Sequence, residues 1–298
     1  HDGDSGLMGM ALHPDFEGHP YVYVMYSYSE DGRQQERIQR LKHLGTHATL
    51  DEVVLDGLSA LRCHIGGRIA FGPDGMLYIG TGDVERPPVS QDLQSLDGKI
   101  LRLRPDGQIP EDNPFPDSPV FSYGHRVVQG LTWDPETGVL FNSEHGPSSA
   151  EVEGKARHRD EINQVVAGRN YGWPKVVGAP GLEEFQDPIV MWKNKSVPPG
   201  GMTFYQGDLF VVTLASQTLI RIRFGRDYEV RRIERWFALT SRSGIYGRLR
   251  DVTVGPDGHL YVCTSNTDGR ADLRPNDDKI LRIKFVSSER IVAKKGKS

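Results

Sequence analysis

Two groups of residues in the first third of the chain have the chemistry of an acid–base site. Residues 63–68 read Cys-His-Ile-Gly-Gly-Arg and set His64 beside two glycines, just before a strand-like run. Glycine lets the backbone approach a ligand closely, and a neutral imidazole can accept a proton near physiological pH. Asp83, which follows a Thr-Gly turn, is a candidate orienter of such a base. For each residue taken alone the structural alternatives, a loop-capping histidine and a turn-capping aspartate, stay open.

Arginines form two further clusters. Arg126 stands in a Gly-His-Arg run before a strand, and Arg248 and Arg250 stand two residues apart in a second strand-like run. Residues two apart on a strand face the same side, so this pair would repel unless an anion lies between the guanidiniums. Arginines bind carboxylates in bidentate fashion. The pattern therefore indicates an anion site, with pairing to a protein carboxylate such as Asp251 as an equally good alternative; for Arg126 alone the alternative is a surface salt bridge.

Oxygen-rich loops form the remaining cluster, at residues 143–147, 160–163 and 170–174. Calcium prefers about six to eight oxygen ligands, including backbone carbonyls. The carbonyl groups of Gly146 and Pro147 are candidates for two of them. The spacing does not match an EF-hand loop, so a hydrogen-bonded loop without a metal remains the alternative.

Composition excludes several classes of protein. The 298 residues are 37% hydrophobic and 26% charged, with a formal net charge of -4. The charges are interspersed, without the basic stripe of a nucleic-acid binder, and no apolar run is long enough for a transmembrane helix. Phosphate-binding loops, a Gly-rich nucleotide fingerprint, a serine nucleophile elbow and a zinc pattern are all absent from the sequence. These absences weigh against nicotinamide chemistry and against serine or zinc hydrolysis.

The two ends and the two cysteines carry little functional information. The first residues lack the pattern of a secretory signal and already read as folded protein, so we expect a signal peptide and some leading structure to be missing. Residues 286–298 are expected to form a flexible C-terminal tail. Cys63 and Cys263 lie far apart in the sequence, and either a disulfide or two free thiols is compatible with the pattern.

A recurring turn organises the strands that must position these clusters. Proline presets the first turn torsion, aspartate caps the turn and glycine accepts a positive φ. Each copy is followed by a short β-branched and aromatic run typical of a strand. The copies lie at residues 13–16, 72–75, 134–138, 205–208 and 255–258. Repeats at this interval are typical of propeller blades and predict one all-β propeller domain over residues 1–298.

Taken together, the clusters resemble the soluble aldose sugar dehydrogenases of the glucose/sorbosone dehydrogenase family. The resemblance begins at residues 5–16, Ser-Gly-Leu-Met-Gly-Met-Ala-Leu-His-Pro-Asp-Phe, and continues to residues 279–283, Lys-Ile-Leu-Arg-Ile. It implies a six-bladed β-propeller. Because the family has a further N-terminal stretch, it also implies that the first blade here is incomplete.

The resemblance also implies roles for individual residues. His64 matches the catalytic base, Asp83 an acid near that base, and Asp4 a position on the substrate side. The positions that match contacts to pyrroloquinoline quinone (PQQ) are Arg126, Val127, Trp192, Leu214, Ala215, Arg248 and Arg250. The positions that match calcium sites are Gly146 and Pro147 at the active site and Glu161 and Tyr171 at a second, structural site.

Three positions depart from the family pattern. Val127 replaces an asparagine, Ala215 replaces a cationic residue, and Asp4 replaces a longer Gln or Glu. PQQ carries three carboxylates, and one charge-assisted hydrogen bond is worth about 1.5–3 kcal/mol. Loss of the cation at Ala215 is therefore expected to weaken PQQ binding by about one to two decades in affinity.

The activity implied is oxidation of an aldose at its anomeric carbon to the lactone, with PQQ and calcium as cofactors. The expected partners are a sugar and an external electron acceptor, without nucleic acid or a membrane span. The expected protein is a periplasmic or secreted monomer or dimer. Two other functions stay open: a calcium-dependent lactonase-type hydrolase, and a non-catalytic propeller that binds a carbohydrate or a protein partner.

Overall fold

Short antiparallel strands make up nearly all the regular structure of this computed structural model, which describes residues 3–147, 158–193, 195–271 and 273–285. The strands form five sheets, each called a blade here and numbered in chain order. Two short 3-10 helices, Pro87–Gln91 and Arg226–Tyr228, lie in connections. The expected tail at residues 286–298 lies outside the described residues.

The blades have the following strands. Blade 1 contains β1 (Leu7–Leu12), β2 (Tyr21–Glu30), β3 (Arg33–His43) and β4 (Ala48–Ser59). Blade 2 contains β5 (Gly66–Phe71), β6 (Leu77–Thr81), β7 (Lys99–Leu103) and β8 (Val120–Tyr123). Blade 3 contains β9 (Val128–Trp133), β10 (Leu140–Glu144), β11 (Glu161–Val165) and β12 (Val190–Met191). Blade 4 contains β13 (Pro199–Tyr205), β14 (Asp208–Thr213), β15 (Leu219–Phe224) and β16 (Val230–Trp236). Blade 5 contains β17 (Leu249–Val254), β18 (Leu260–Thr264) and β19 (Ile280–Ile283).

The propeller prediction is confirmed, but the predicted count of six blades is wrong for the described residues, which form five. Each of the five turn copies joins the first two strands of one blade, although the spacing of the copies alone does not predict a number of blades. The sixth blade came from the family resemblance. The expectation of an incomplete first blade also fails, because blade 1 has four strands and it is blade 5 that has three.

The two turn copies with the same sequence, Gly-Pro-Asp-Gly at residues 72–75 and 255–258, are held by the same hydrogen bonds. Asp74 Oδ1 accepts from the backbone N–H of residue 76 at 3.1 Å, and its Oδ2 accepts from the Tyr78 hydroxyl at 2.9 Å. Asp257 repeats both contacts, with the N–H of residue 259 at 3.2 Å and the Tyr261 hydroxyl at 2.9 Å. A Cβ on Gly72 would lie 2.8 Å from the Tyr78 ring. The turn therefore needs glycine at position 72 for packing and aspartate at position 74 for its two hydrogen bonds.

The first strand of each blade is the innermost, and the inner strands pack in chain order from β1 to β17. Buried apolar side chains fill each space between neighbouring blades. Each inner strand packs on the next one along the chain, but within the described ranges β17 does not pack on β1 in the same way. Two apolar side chains of β1 are accordingly exposed, Leu7 by 72% and Met10 by 66%. The stack thus places the ends of five inner strands, and the loops beside them, around one central opening.

Two smaller sequence questions are also answered for the described part of the chain. Cys63 and Cys263 are free thiols. No helix there is long and apolar enough to cross a membrane.

A buried carboxyl on β3 makes stability depend on pH. Glu36 is 1% exposed, and its Oε1 has no hydrogen-bond partner among the described residues. Burial, with a smaller contribution from nearby Asp97, raises the pKa of Glu36 well above its usual range. The pKa of Glu36 is higher in the folded protein than in the unfolded protein. The protein is therefore most stable at a pH where Glu36 is protonated in both the folded and the unfolded state. Stability is lost as pH rises from about 4 through the folded pKa.

We expect Glu36→Gln to stabilise the protein at pH 7 by about 1–3 kcal/mol, because the amide has nearly the same shape and needs no proton. At pH 4 the two proteins should unfold at the same urea concentration. Chemical unfolding at both pH values measures this, with Glu30→Gln at the exposed end of β2 as the matched control. Equal stability of Glu36→Gln and the wild type at pH 7 would contradict the argument.

Candidate functional site

A cavity of about 500 Å³ opens where the inner strands end, a size typical of small-molecule sites. It brings together many residues that the sequence singled out from separate blades. The predicted residues that line it are Asp4, His64, Arg126, Val127, Leu214, Arg248 and Arg250.

His64 lies on the wall of this cavity in a constrained loop. Its φ of 59° is in the left-handed region, which non-glycine residues adopt rarely outside turns and functional sites. A Cβ on Gly82 would lie 1.8 Å from the His64 carbonyl oxygen. Residue 82, which directly follows β6, must therefore be glycine for the His64 loop to fit. The backbone of blade 2 therefore sets the position of the imidazole.

Both ring nitrogens of His64 have partners. Nδ1 lies 3.0 Å from Asp83 Oδ1, and Nε2 lies 3.0 Å from Nη2 of Arg126. A guanidinium can only donate, so Nε2 carries the lone pair and the ring proton belongs on Nδ1, where it is donated to Asp83. The basic nitrogen of His64 thus lies beside Arg126, at the wall of the cavity.

Asp83 is fully buried behind His64. Besides the imidazole, its Oδ1 accepts from the N–H of Glu85 at 3.1 Å, and its Oδ2 accepts from the indole Nε1–H of Trp173 at 2.8 Å. Three donors from different directions fix the orientation of this carboxylate. The structure thus places Asp83 beside His64, the residue that the sequence singled out as a candidate base.

Arg248 and Arg250 converge as the strand pattern predicts, and a protein carboxylate lies between them. Asp268 Oδ2 accepts from Arg248 Nε at 2.8 Å and from Arg250 Nη2 at 3.1 Å. Asp251, the partner suggested from the sequence, instead accepts from Arg68 at 2.8 Å. One carboxylate shared by two guanidiniums leaves positive charge for a further anion.

The remaining charges of the cavity add to this excess. Arg270 pairs with Asp4 at 3.2 Å across the opening between blades 5 and 1. With Arg126, five arginines line the cavity against the three aspartates Asp4, Asp251 and Asp268. Desolvation lowers the pKa of His145, another lining residue, to about 3, so that ring stays neutral and adds no charge to the arginine excess.

The predicted calcium residues lie together beside a second, smaller cavity of about 20 Å³. Gly146, Pro147, Glu161 and Tyr171 all line it, with Glu144. Burial and the neighbouring Glu144 raise the pKa of Glu161 well above its usual range, which is the situation that a bound cation would relieve.

Two buried amide groups contact the carboxylates that line this smaller cavity, Asn142 at Glu144 and Asn163 at Glu161. The buried Oδ1 atoms of Asn142 and Asn163, on the neighbouring strands β10 and β11, have no hydrogen-bond partner in the described part of the protein. Asp160 accepts from the Gly146 N–H at 3.0 Å and so fixes the loop, while the Pro147 carbonyl accepts from the N–H of residue 158 at 2.8 Å. The donor set matches calcium, which binds carboxylate, amide and carbonyl oxygens.

Two of the predicted cofactor contacts lie away from both cavities. Trp192 packs on the core between blades 3 and 4, and its backbone N–H donates to the Asp160 carbonyl at 3.0 Å. Ala215 is exposed next to Leu214, and it is Leu214 that lines the larger cavity.

Other lining residues had no predicted role. Arg68 and Trp173 both stood inside clusters that the sequence singled out, but neither was given a function. Asp268 and Arg270 follow β18 in a Thr-Asp-Gly-Arg run that no cluster included. The only available signal was that polar residues at the end of an inner hairpin should meet at the central opening.

Comparison of the sequence and the fold with known proteins identifies relatives of this chain. The family model described as Glucose / Sorbosone dehydrogenase matches residues 1–281. Aldose sugar dehydrogenase YliI of Escherichia coli is 33% identical over a region covering 90% of this chain and 76% of its own length.

Two solved structures share the fold over most of the chain. A structure described as an oxidoreductase (glucose dehydrogenase) from Thermus thermophilus has a TM-score of 0.87 and 48% identity, covering 95% of this chain and 84% of its own. The PQQ-bound form of aldose sugar dehydrogenase from Streptomyces coelicolor has a TM-score of 0.84 and 39% identity, covering 95% and 80%. The resemblance seen in the sequence is thereby confirmed, and this chain belongs to the glucose/sorbosone dehydrogenase family.

Proposed function

We propose that this protein oxidises aldose sugars at the anomeric carbon to lactones, with PQQ and calcium as cofactors and His64 as proton acceptor. The observation that carries the proposal is the His64–Asp83 pair on the wall of a cavity with an excess of arginine. The E. coli relative is named an aldose sugar dehydrogenase, and the S. coelicolor relative is known in a PQQ-bound form. Both names support the same reaction class.

The cavity suits a flat ligand with three carboxylates. Arg248 and Arg250 share Asp268, so each retains donors for a ligand carboxylate. Arg126, in the connection between blades 2 and 3, lines the cavity and lies next to the base. Bidentate arginine–carboxylate pairs provide both affinity and orientation, so these three side chains would hold PQQ against His64.

The acid–base chemistry follows from the tautomer of His64. The substrate hydroxyl takes the place of Arg126 as the hydrogen-bond partner of Nε2, which then accepts the hydroxyl proton. The resulting imidazolium is stabilised by the buried carboxylate of Asp83 on the other side of the ring. Bound PQQ supplies the two-electron acceptor for the hydrogen of the anomeric carbon, and calcium supplies a Lewis acid.

Calcium would be held by the residues of the smaller cavity. Gly146 and Pro147, which line it, would supply carbonyl oxygens, and Arg126 and His145 line both cavities. Glu161 and Tyr171, which line the same cavity, would hold a second, structural ion. We further propose a periplasmic or secreted protein, monomeric or dimeric, that passes electrons to an external acceptor.

Reconstitution tests the proposal directly. Purified protein with PQQ and calcium chloride should reduce a redox dye when an aldose is added, and EDTA should abolish the rate until calcium is restored. Omission of PQQ is the matched control. Absence of dye reduction across a broad panel of aldoses would overturn the assigned activity.

A non-catalytic, ligand-binding propeller is the second candidate. Val127 presents an apolar side chain to the cavity, and Ala215 contributes no charge, so two polar contacts of the family are missing. Titration with PQQ, followed by its absorbance, separates the two: saturable binding without turnover would favour this candidate. A lactonase-type hydrolase would need acidic and amide side chains that converge on a central metal, whereas the three aspartates of the larger cavity, Asp4, Asp251 and Asp268, each pair with an arginine.

A further inference from the structure

Trp173 contacts both residues that flank the His64 imidazole. Its indole Nε1–H donates to Asp83 Oδ2 at 2.8 Å. The other oxygen, Asp83 Oδ1, accepts the hydrogen bond from Nδ1 of His64 at 3.0 Å. The guanidinium of Arg126, which donates to the other nitrogen of His64, lies 5.4 Å from the centre of the Trp173 ring. The edge of one aromatic side chain thus fixes the carboxylate, and its face supports the arginine.

The Trp173 backbone is anchored as firmly as its side chain. The residue is 4% exposed. Its N–H donates to the Gly124 carbonyl at 2.9 Å, and its own carbonyl accepts from Gln91 Nε2 at 2.6 Å. These partners belong to the connections of blade 2, whereas Trp173 follows β11 of blade 3. The indole is therefore held between two blades, where a buried Trp N–H needs a fixed acceptor.

We propose that Trp173 is a positioning residue for the base, acting through Asp83, and this inference rests on the proposed function. Asp83 can rotate about its side-chain torsions unless its second oxygen is held. With the indole N–H in place, Oδ1 stays directed at Nδ1 of His64, which keeps the proton there and keeps the lone pair on Nε2, where it can accept the proton of a hydroxyl that takes the place of Arg126. Loss of the carboxylate's orientation produces a mixture of tautomers, in which part of the enzyme carries its proton on the wrong nitrogen.

Trp173→Phe tests the proposal because it keeps an aromatic face under Arg126 and removes only the N–H and part of the ring. We expect kcat to fall by about tenfold to a hundredfold, as for a misplaced catalytic group, while KM and the Kd for PQQ stay within about twofold. Trp133→Phe is the matched control, since Trp133 packs on Tyr78 between blades 2 and 3 and should leave all three constants unchanged.

A second readout does not depend on turnover. The ¹⁵N spectrum of histidine-labelled protein without PQQ reports the tautomer of the His64 ring. The wild type should show the Nδ1–H tautomer alone, and Trp173→Phe should show a mixture of the two tautomers. If the wild type binds no PQQ and oxidises no sugar, the proposed function fails, yet this spectrum still decides the role of Trp173. Wild-type kcat together with a single tautomer in Trp173→Phe would overturn the inference.

A third measurement covers the case in which Trp173→Phe does not fold. With ¹⁵N-tryptophan, the Trp173 indole N–H of the wild type should be protected from exchange with solvent. In Asp83→Asn its resonance should move, because a charged acceptor becomes neutral. An indole resonance unaffected by Asp83→Asn would show that the contact is absent in solution and would also overturn the inference.

Discussion

Replacing His64 with asparagine is expected to lower kcat for aldose oxidation by about 10³-fold, within the range that general-base catalysis contributes. The reason is the geometry of His64. Among the described residues that line the cavity, it is the only side chain with an accepting nitrogen whose ring is held by a buried carboxylate. His145, the other lining histidine, donates Nε2–H to the Pro199 carbonyl at 2.8 Å and cannot substitute. Dye reduction at saturating aldose measures the effect.

PQQ affinity distinguishes loss of the base from loss of the site. Titration of His64→Asn with PQQ should give nearly the wild-type Kd, because the arginines that would bind the carboxylates remain. His47→Asn, in the exposed turn between β3 and β4, serves as the control for the substitution itself. An unchanged kcat in His64→Asn would refute the role of this residue as base.

The fold could be predicted from the sequence to the extent that its signals were local. Each turn motif fixed one hairpin through contacts within about ten residues, as the matched Asp74 and Asp257 bonds show. The number of blades is a global property, and no local contact determines it. That is why the repeat pointed to five hairpins while the family resemblance suggested six blades.

The site was predicted less completely, because its partners come from different blades. Asp83 and Trp173 are 90 residues apart in the sequence, and Arg68 and Asp251 are 183 apart. Strand periodicity gave the direction of Arg248 and Arg250 but could not show which carboxylate they would share. Such pairings exist only after the blades stack, so Trp173 could be placed in a cluster from the sequence, but its acceptor could not be identified.

Replacing both Arg248 and Arg250 with glutamine is expected to weaken PQQ binding by at least about 10²-fold, since each charge-assisted bond is worth about 1.5–3 kcal/mol. The loss should shrink as salt is added to both proteins, because ionic screening already weakens the wild-type interaction. PQQ absorbance titration at two ionic strengths measures this. Arg242→Gln, at an exposed position after β16, is the matched control and should bind PQQ normally.

Asp268 makes the same arginine pair testable in the protein without cofactor. The Arg248 side chain is 8% exposed and Asp268 is 18% exposed, so Asp268→Asn leaves a nearly buried guanidinium beside Arg250 without its carboxylate. We expect a loss of about 1–3 kcal/mol in unfolding free energy, less than for a fully buried pair. A ligand carboxylate would replace the missing charge, so PQQ should raise the Tm of Asp268→Asn by more than it raises the wild-type Tm. If PQQ shifts both melting temperatures equally, the cofactor does not bind at Arg248 and Arg250, and the proposed orientation of PQQ against His64 is wrong.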